Sequence, residues 1–555
     1  MRGRLIGVLF AFVVLLAVSA TPAVAAQQNA LNMSLQFADP NTEFITSDIA
    51  FWDDTAFVGN YGGLRTYDIS DPTNPVRLAD FKCFGPQNDP SVWDTDGNGQ
   101  ADLLVQSVDL TLDAPACGSP QSLHPDGTRH DENPTGWEGI RLFDISDPAN
   151  PVFLKAVYLD CGSHTNTMYP DLDRNRLVVL VSSYPLRAGP TCGLSHDGTD
   201  MSKNLANPYD SDPGSPADPL HGVIQTVLIP LADGPDPDAT PDAAGSAAGA
   251  AEGPQLPINY PGDPDNKFVP GEHGLSGPNI IANGLRACHD IAVYLPQKLV
   301  GGACAEQSQL WRLSDATGLP DTSHPVWTFD QQNIDFHHSA TFSWDGKIVN
   351  FIDESFGEGC PTVTPGVGQT GRMFFVDADT GERLSHFMIT RSHQKETPDY
   401  CSAHMGNVVP SSNRYLLTNA WYTGGVDVID FSNPRAPKEV AYYDDNGDEW
   451  SGYWYEQDGT DSTGPFNVFG THGVEHIADG ENAEARGFEA FLADVSAQRP
   501  TLGHLNPQVQ EQAFPTNPDT SAAAAKATAS RATPKKARRG SGKVDKHRVL
   551  RNLAP

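Results

Sequence analysis

Gly63-Leu64-Arg65-Thr66-Tyr67-Asp68-Ile69-Ser70-Asp71-Pro72, with Asn74-Pro75-Val76 behind it, decides the fold because the chain says it again. The phrase returns as Gly139-Ile140-Arg141-Leu142-Phe143-Asp144-Ile145-Ser146-Asp147-Pro148, followed by Asn150-Pro151-Val152. It returns once more as Gly425-Val426-Asp427-Val428-Ile429-Asp430-Phe431-Ser432-Asn433-Pro434. Weaker copies at Gly222–Pro230, Ser308–Asp315, Gly371–Asp377 and Gly487–Val495 bring the number to seven. Inside the phrase, apolar and polar residues alternate with a period near two, the pattern of a strand. Asp-Pro and Asn-Pro then make a tight turn, because Pro fixes φ and Asx side chains bond the local backbone. Another strand follows, as in Val152–Tyr158, and two more precede each copy, as in His404–Val409 and Tyr415–Ala420. Four strands per unit and seven units predict an all-β, seven-bladed β-propeller over residues 30–497. A single blade cannot bury both faces, so the ring has to close. After Val495 blade seven has no fourth strand of its own, and Leu31–Phe37 is expected to supply it.

The rest of the 555 residues bounds the setting. The 51 Gly and 45 Pro suit a turn-rich β protein. A formal net charge of −34 repels phosphate, so nucleic-acid binding is excluded as an expectation, and the acidity reads as a solubility adaptation. Arg2 and Arg4 precede the apolar run Leu5–Val18 and the small residues Thr21-Pro22-Ala23-Val24-Ala25-Ala26. That is the pattern of a secretory signal peptide over 1–26, and no later stretch is apolar enough to span a bilayer. The expected location is therefore secreted, extracellular or in the cell envelope. Eight Cys, an even number without C-x-x-C pairs, fit an oxidising compartment. Sequential pairing would give Cys83–Cys117, Cys161–Cys192, Cys288–Cys304 and Cys360–Cys401, although spacing alone does not determine it.

The phrase Leu64–Pro72, with His289-Asp290-Ile291-Ala292-Val293 on an earlier strand of its unit, resembles the LVIVD-repeat propellers. The resemblance spans residues 30–497 and implies the fold and a secreted or surface location, with no reaction attached. Two regions leave the repeat. Blade three carries a long insertion, residues 193–279, whose Ala243–Ala251 segment reads as low-complexity and disordered. Residues 513–555 read as a disordered Ala/Pro/Lys/Arg-rich tail, carrying Lys535, Lys536, Arg538, Arg539, Lys543, Lys546, Arg548 and Arg551. The tail's charge would draw it to an anionic envelope polymer or to the acidic propeller itself.

Two constellations carry chemistry. Asp94-Thr95-Asp96-Gly97-Asn98-Gly99-Gln100-Ala101-Asp102 runs straight into the apolar strand Leu103-Leu104-Val105. Asp94, Asp96, Asn98, the Gln100 carbonyl and Asp102 offer oxygens at a spacing that wraps calcium, without the distal Glu of an EF-hand. The loop looks like the calcium loops of FG-GAP repeats, with a structural role. Asp444-Asp445-Asn446-Gly447-Asp448 is a weaker acidic turn, read as solvated.

The second constellation appears when the first strands of the units are aligned. His164, His289, His338 and His404 each open such a strand, where blade one has Ser47. First strands line the channel of a propeller, so four adjacent blades would aim imidazoles at one height. Imidazole suits a transition metal such as iron or copper, with His337, Asp290 and Glu354 as orienting partners. Carotenoid oxygenases and the selenium-binding/methanethiol oxidase propellers look similar in outline, without a shared motif. The bland alternative is that these histidines bond neighbouring blades. There is no P-loop, G-x-S-x-G elbow or H-E-x-x-H motif.

Two functional expectations follow. One is an extracellular binding scaffold with a structural calcium, its partner a protein, glycan or envelope polymer. Trp421, Tyr422, Trp450, Tyr453, Trp454 and Tyr455 would supply contacts if they were not used in the core. The other is a metal-dependent oxidoreductase with a four-His centre in the channel.

Overall fold

A computed structural model describes residues 29–109, 114–118, 139–159, 162–183, 222–231, 242–259, 288–305, 307–330, 334, 336–354, 371–391, 401–445, 447–457, 462–473 and 487–518. The residues read above as a signal peptide, the tail beyond 518 and most of residues 193–279 lie outside this set. The described chain is all-β, built of several sheets.

The strands follow the chain in antiparallel sets. After β1 (Asn29–Leu31) and β2 (Met33–Asp39) come β3 (Thr46–Trp52), β4 (Thr55–Asn60), β5 (Gly63–Asp68) and β6 (Val76–Lys82). The next set is β7 (Gln87–Trp93), β8 (Leu103–Val108), β9 (Ile140–Asp144) and β10 (Val152–Val157). Then β11 (Thr165–Asp171), β12 (Arg176–Ser182) and β13 (Val223–Pro230) pair in turn, with the short β14 (Ala251–Glu252) and β15 (Leu256–Pro257) on β13. β16 (Asp290–Tyr294), β17 (Leu299–Cys304), β18 (Gln307–Arg312) and β19 (Trp327–Phe329) form another sheet. β20 (His337–Phe342), β21 (Ile348–Asp353), β22 (Met373–Asp377) and β23 (Arg383–Phe387) form the next. β24 (Met405–Val409), β25 (Leu416–Ala420), β26 (Val426–Asp430) and β27 (Lys438–Asp444) share a nine-stranded sheet with β28 (Glu449–Trp454), β29 (Phe466–His472) and β30 (Phe488–Ala493), joined by parallel pairing of β24 with β28.

Every copy of the repeated phrase contributes the third strand of its run: β5, β9, β13, β18, β22, β26 and β30. The reason is packing. A third strand is covered on both faces by neighbouring sheets, and β5 is buried from Gly63 to Tyr67. Fourth strands such as β6 and β23 lie at sheet edges and carry exposed residues. The first strands touch one another in order: β3 against β7, β7 against β11, then β16, β20, β24 and β28, with β28 back against β3.

The N-terminal segment behaves as its sequence suggests. β2 pairs with β30, from Met33 opposite Ala493 to Asp39 opposite Phe488. β1 also pairs with β27, so the segment fastens both ends of the nine-stranded sheet. Cys83–Cys117 and Cys288–Cys304 are disulfides, and Cys401 is disulfide-bonded. Cys161, Cys192 and Cys360 lie outside the described residues.

Three details depart from the reading above. Ala243–Gly249 is a helix, not a disordered tract. Asp242 caps it by accepting from Gly245 N, and the buried Ala243 and Ala247 join the apolar cluster where the helix packs on β9, β10 and β13. Alanine's helix propensity, with the Lys155 ammonium donating to Ala248 O and Ala250 O at the far end, explains the order. Second, the chain beyond 497 is built into the body. β31 (His504–Leu505) pairs with β3, and β32 (Val509–Gln510) pairs in parallel with β16. Asn506 holds both the N–H and the C=O of Val92, and Phe514 packs on Trp344. Third, the acidic turn is not solvated: Asp444 and Asp448 are buried, Asp444 accepting from Arg391 Nε at 3.0 Å. Among the described residues, no helix is long and apolar enough to cross a membrane.

Candidate metal centre in the first strands

The four histidines enter the structure at the starts of first strands, each tied there by its backbone. His164 N donates to Ser182 O, His289 N to Ala303 O and His404 N to Ala420 O, while His338 lies within β20. Because the first strands are neighbours, the rings form one contiguous row. Ring centroids are 4.5 Å apart for His164 and His289, 3.5 Å for His289 and His338, and 4.4 Å for His338 and His404. His164 Nε2 and His289 Nε2 stand 2.9 Å apart. The tightest donor set is His289, His338 and Glu354, whose ligand atoms all lie within 4.8 Å of one another.

The two ends of the row are anchored through Nδ1. His164 Nδ1 is 3.1 Å from Asp109 Oδ2, and His404 Nδ1 bonds Trp450 O. Anchoring one ring nitrogen sets the tautomer and leaves Nε2 to face the row. His338, fully buried, makes no hydrogen bond with either ring nitrogen, yet its Nε2 is 3.3 Å from Glu354 Oε2. Glu354 Oε1 accepts from the Tyr422 hydroxyl at 2.5 Å, and the Tyr422 ring lies 4.4 Å from that of His404. Phe336, Trp450 and Tyr422 wall the row with aromatic surface.

Burial, reinforced by the neighbouring imidazoles, holds His289 and His338 well below the ordinary histidine range. Burial likewise pushes His404 down to about 3, against the opposing effect of its bond to Trp450. Rings in that condition are neutral and keep a lone pair for a ligand.

Of the expected orienting partners, Glu354 is at the row. His337 turns its Nδ1 to the Ser308 hydroxyl at 2.7 Å, because neighbouring strand residues face opposite ways. Asp290 accepts from its own chain at Ile291 N and belongs to a different group. That group, missed in the sequence, is a buried acidic layer of Asp48, Asp89 and Asp290 with Tyr453, whose hydroxyl donates to Asp48 Oδ1 at 2.6 Å. Burial first, then Tyr453 and His164 in opposition, leaves Asp48 raised to about 6. Burial raises Asp290 to about 8, with the Asp48 charge adding to it. The signal was available: Ser47-Asp48, Asn88-Asp89 and His289-Asp290 are the same position in three repeats.

The Asp94–Asp102 loop connects β7 to β8 and is folded on its own oxygens. Asp94 accepts from Gly97 N and Gly99 N, Asp96 from Asn98 N, and Asn98 from Gln100 N. Asp102 accepts from Thr95 N and the Thr95 hydroxyl. Gly97 and Gly99 take φ of +71° and +94°, which lets so short a loop turn. Burial raises Asp94 and Asp102 above the ordinary carboxylate range, although backbone donors from the loop oppose it. The six aromatics of the scaffold reading are all buried, Trp421, Tyr453, Trp454 and Tyr455 completely, so they pack the interior rather than meet a partner.

Three solved structures are distantly similar to the chain. A protein described as a candidate 6-phosphogluconolactonase from Bacteroides uniformis is 11% identical, with 82% of this chain and 98% of that one covered at a TM-score of 0.40. Chaetomium thermophilum Raptor is 9% identical over 86% of this chain and 30% of its own, at 0.43. The computationally designed protein Ika8 is 10% identical over 82% and 99%, at 0.37. At these scores none bears on function. No curated protein matches the chain. The model of the LVIVD repeat does match, at residues 45–80 and 420–445, where β3 to β6 and β26 to β27 lie. The chain carries LVIVD repeats, consistent with an LVIVD-repeat family.

Proposed function

We propose that this chain is a secreted seven-bladed β-propeller that binds a transition metal through His164, His289, His338 and His404, and works as a metal-dependent oxidoreductase. One observation carries the reading: His164, half-buried, and the buried His289, His338 and His404, from four successive sets, form a single row, and His338 inside it makes no hydrogen bond with either ring nitrogen. A histidine kept for packing would be expected to satisfy both ring nitrogens, since a buried polar atom without a partner costs about 1–3 kcal/mol. His338 satisfies neither by hydrogen bonding. The cyclic contacts of the first strands support the seven-bladed count, with β2 closing the last blade. The bonded cysteines support the secreted location.

The test is elemental analysis of the full chain purified from the secreted fraction. A stoichiometric iron, copper or other transition metal is expected, lost when His289 and His338 are both replaced by Ala. Absence of any transition metal after reconstitution, or equal metal content in the folded double variant, would overturn the reading. The same measurement checks calcium, proposed as a structural ion on Asp94, Asp96, Asn98, Gln100 and Asp102. Stoichiometric calcium that falls at least tenfold in Asp96→Asn is expected there. An extracellular binding scaffold is the second reading. It is left without its aromatic contacts, all of which are interior.

A further inference from the structure

The four-His reading leaves Glu354 as a support for His338. The geometry points to a larger part: we infer that Glu354 is itself a ligand of the metal, giving a mixed imidazole–carboxylate centre, and that Tyr422 is the residue that positions it. The inference rests on the four-His reading.

Glu354 Oε2 and His338 Nε2 are 3.3 Å apart, close enough for an ion pair, yet they form no hydrogen bond because the ring's N–H direction misses the oxygen. A carboxylate that orients a histidine sits in line with its N–H. Two atoms that are close but not aimed at each other fit a different arrangement, in which both aim at a third point. Donors at about 2.0–2.2 Å from one ion, at tetrahedral or right angles, stand roughly 3.0–3.5 Å apart. The 3.3 Å between Glu354 and His338 fits one edge of such a polyhedron, and 2.9 Å between His164 Nε2 and His289 Nε2 approximates another. Glu354 also belongs to the one group of three ligating side chains that closes within 4.8 Å among the described residues.

Tyr422 accounts for the carboxylate's pose. Its backbone has φ of +50°, a left-handed conformation that a bulky aromatic rarely adopts. The conformation is pinned by Tyr422 N to Glu449 O at 3.0 Å and Glu449 N to Tyr422 O at 3.1 Å, which tie it to the start of β28. The strained turn sends the hydroxyl to Glu354 Oε1, while Glu354 Oε2 lies 3.3 Å from His338 Nε2. A carboxylate in the ligand set favours harder divalent ions (Fe²⁺, Mn²⁺, Co²⁺ or Zn²⁺) over Cu⁺.

The test uses the metal-stripped full chain titrated with Co²⁺ alone, with visible absorption as the readout. Wild type is expected to bind one Co²⁺ per chain. Glu354→Gln, isosteric and expected to keep its melting temperature in chelator, should lose at least 100-fold in Co²⁺ affinity and shift the d–d bands of any residual complex. Tyr422→Phe should lose about tenfold and keep the wild-type bands, because the ligand set is intact but less well held. Glu354→Asp, which keeps the carboxylate, should recover part of the affinity lost in Glu354→Gln. Wild-type bands and less than tenfold weakening in Glu354→Gln would overturn the ligand role of Glu354 while leaving the four-His reading standing. Failure of wild type to bind Co²⁺, Fe²⁺ or Cu⁺ would remove the four-His reading itself.

Discussion

His338 shows the conflict between stability and a binding site in one residue. It is fully buried between His289 and His404, with no hydrogen bond from either ring nitrogen. Replacing such a group by an apolar side chain of similar size removes a desolvation cost without removing a bond. In chelator, His338→Leu is therefore expected to match or exceed the wild-type stability, by up to about 2 kcal/mol, while abolishing metal uptake. Urea denaturation of the two chains decides it: a loss of 2 kcal/mol or more would mean that the imidazole is held by the fold. Its position was legible in the sequence, since His opens the strand in four repeats. Its partner Glu354 was named there only as an accessory. Nothing in a linear sequence tells whether two atoms 3.3 Å apart are aimed at each other.

At the scale of elements, the join between β24 and β28 is the departure from a regular repeat. These two first strands pair directly, Met405 with Ser451 and Gly406 with Gly452, a backbone ladder that no other neighbouring first strands form among the described residues. Gly406 and Gly452 stand opposite each other there, and the crowding at both positions comes from β25 and β26. A Cβ at 406 would lie 2.0 Å from Thr418 O, whereas one at 452 would come no nearer than 3.0 Å, to Val426 Cγ1. Gly406→Ala is expected to cost about 3 kcal/mol or more, and Gly452→Ala about 1 kcal/mol. Equal costs in urea denaturation would contradict that account. The repeated phrase foretold the third strands, because their alternation and Asx-Pro turns are local. The helix Ala243–Gly249 was not foretold, because a run of Ala, Gly and Ser is helical only when something covers it.

For the whole molecule, the acidic layer of Asp48, Asp89 and Asp290 links stability to pH. Each is buried, and burial raises each above the ordinary carboxylate value, with Asp48 at about 6. In the unfolded chain Asp48 would titrate near 3.8. Between those values the folded state holds the extra proton, so stability is greatest below about 4 and declines as pH rises to about 6. The contribution from Asp48 is on the order of 1–3 kcal/mol. Asp48→Asn, which still accepts from Tyr453, should flatten the slope of unfolding free energy between pH 4 and 6 in metal-free protein. An unchanged slope would show that Asp48 does not carry it. The high negative charge acts in the same direction for both chains, so the comparison cancels it.

The sequence by itself determined the β class, the period of the repeat, the strand that the N-terminal segment adds to β30, and the level at which the histidines enter. All of these follow from alternation, turn chemistry and repetition, which are local. Tertiary structure alone decided what lies between the units. It brought Glu354 and Tyr422 to the histidines, gathered Asp48, Asp89 and Asp290 into one layer, and carried the segment after 497 across β3, Val92 and β16. Those neighbours come from sets far apart in the chain, and they meet because buried strands must pack against other strands, a condition that no single repeat contains.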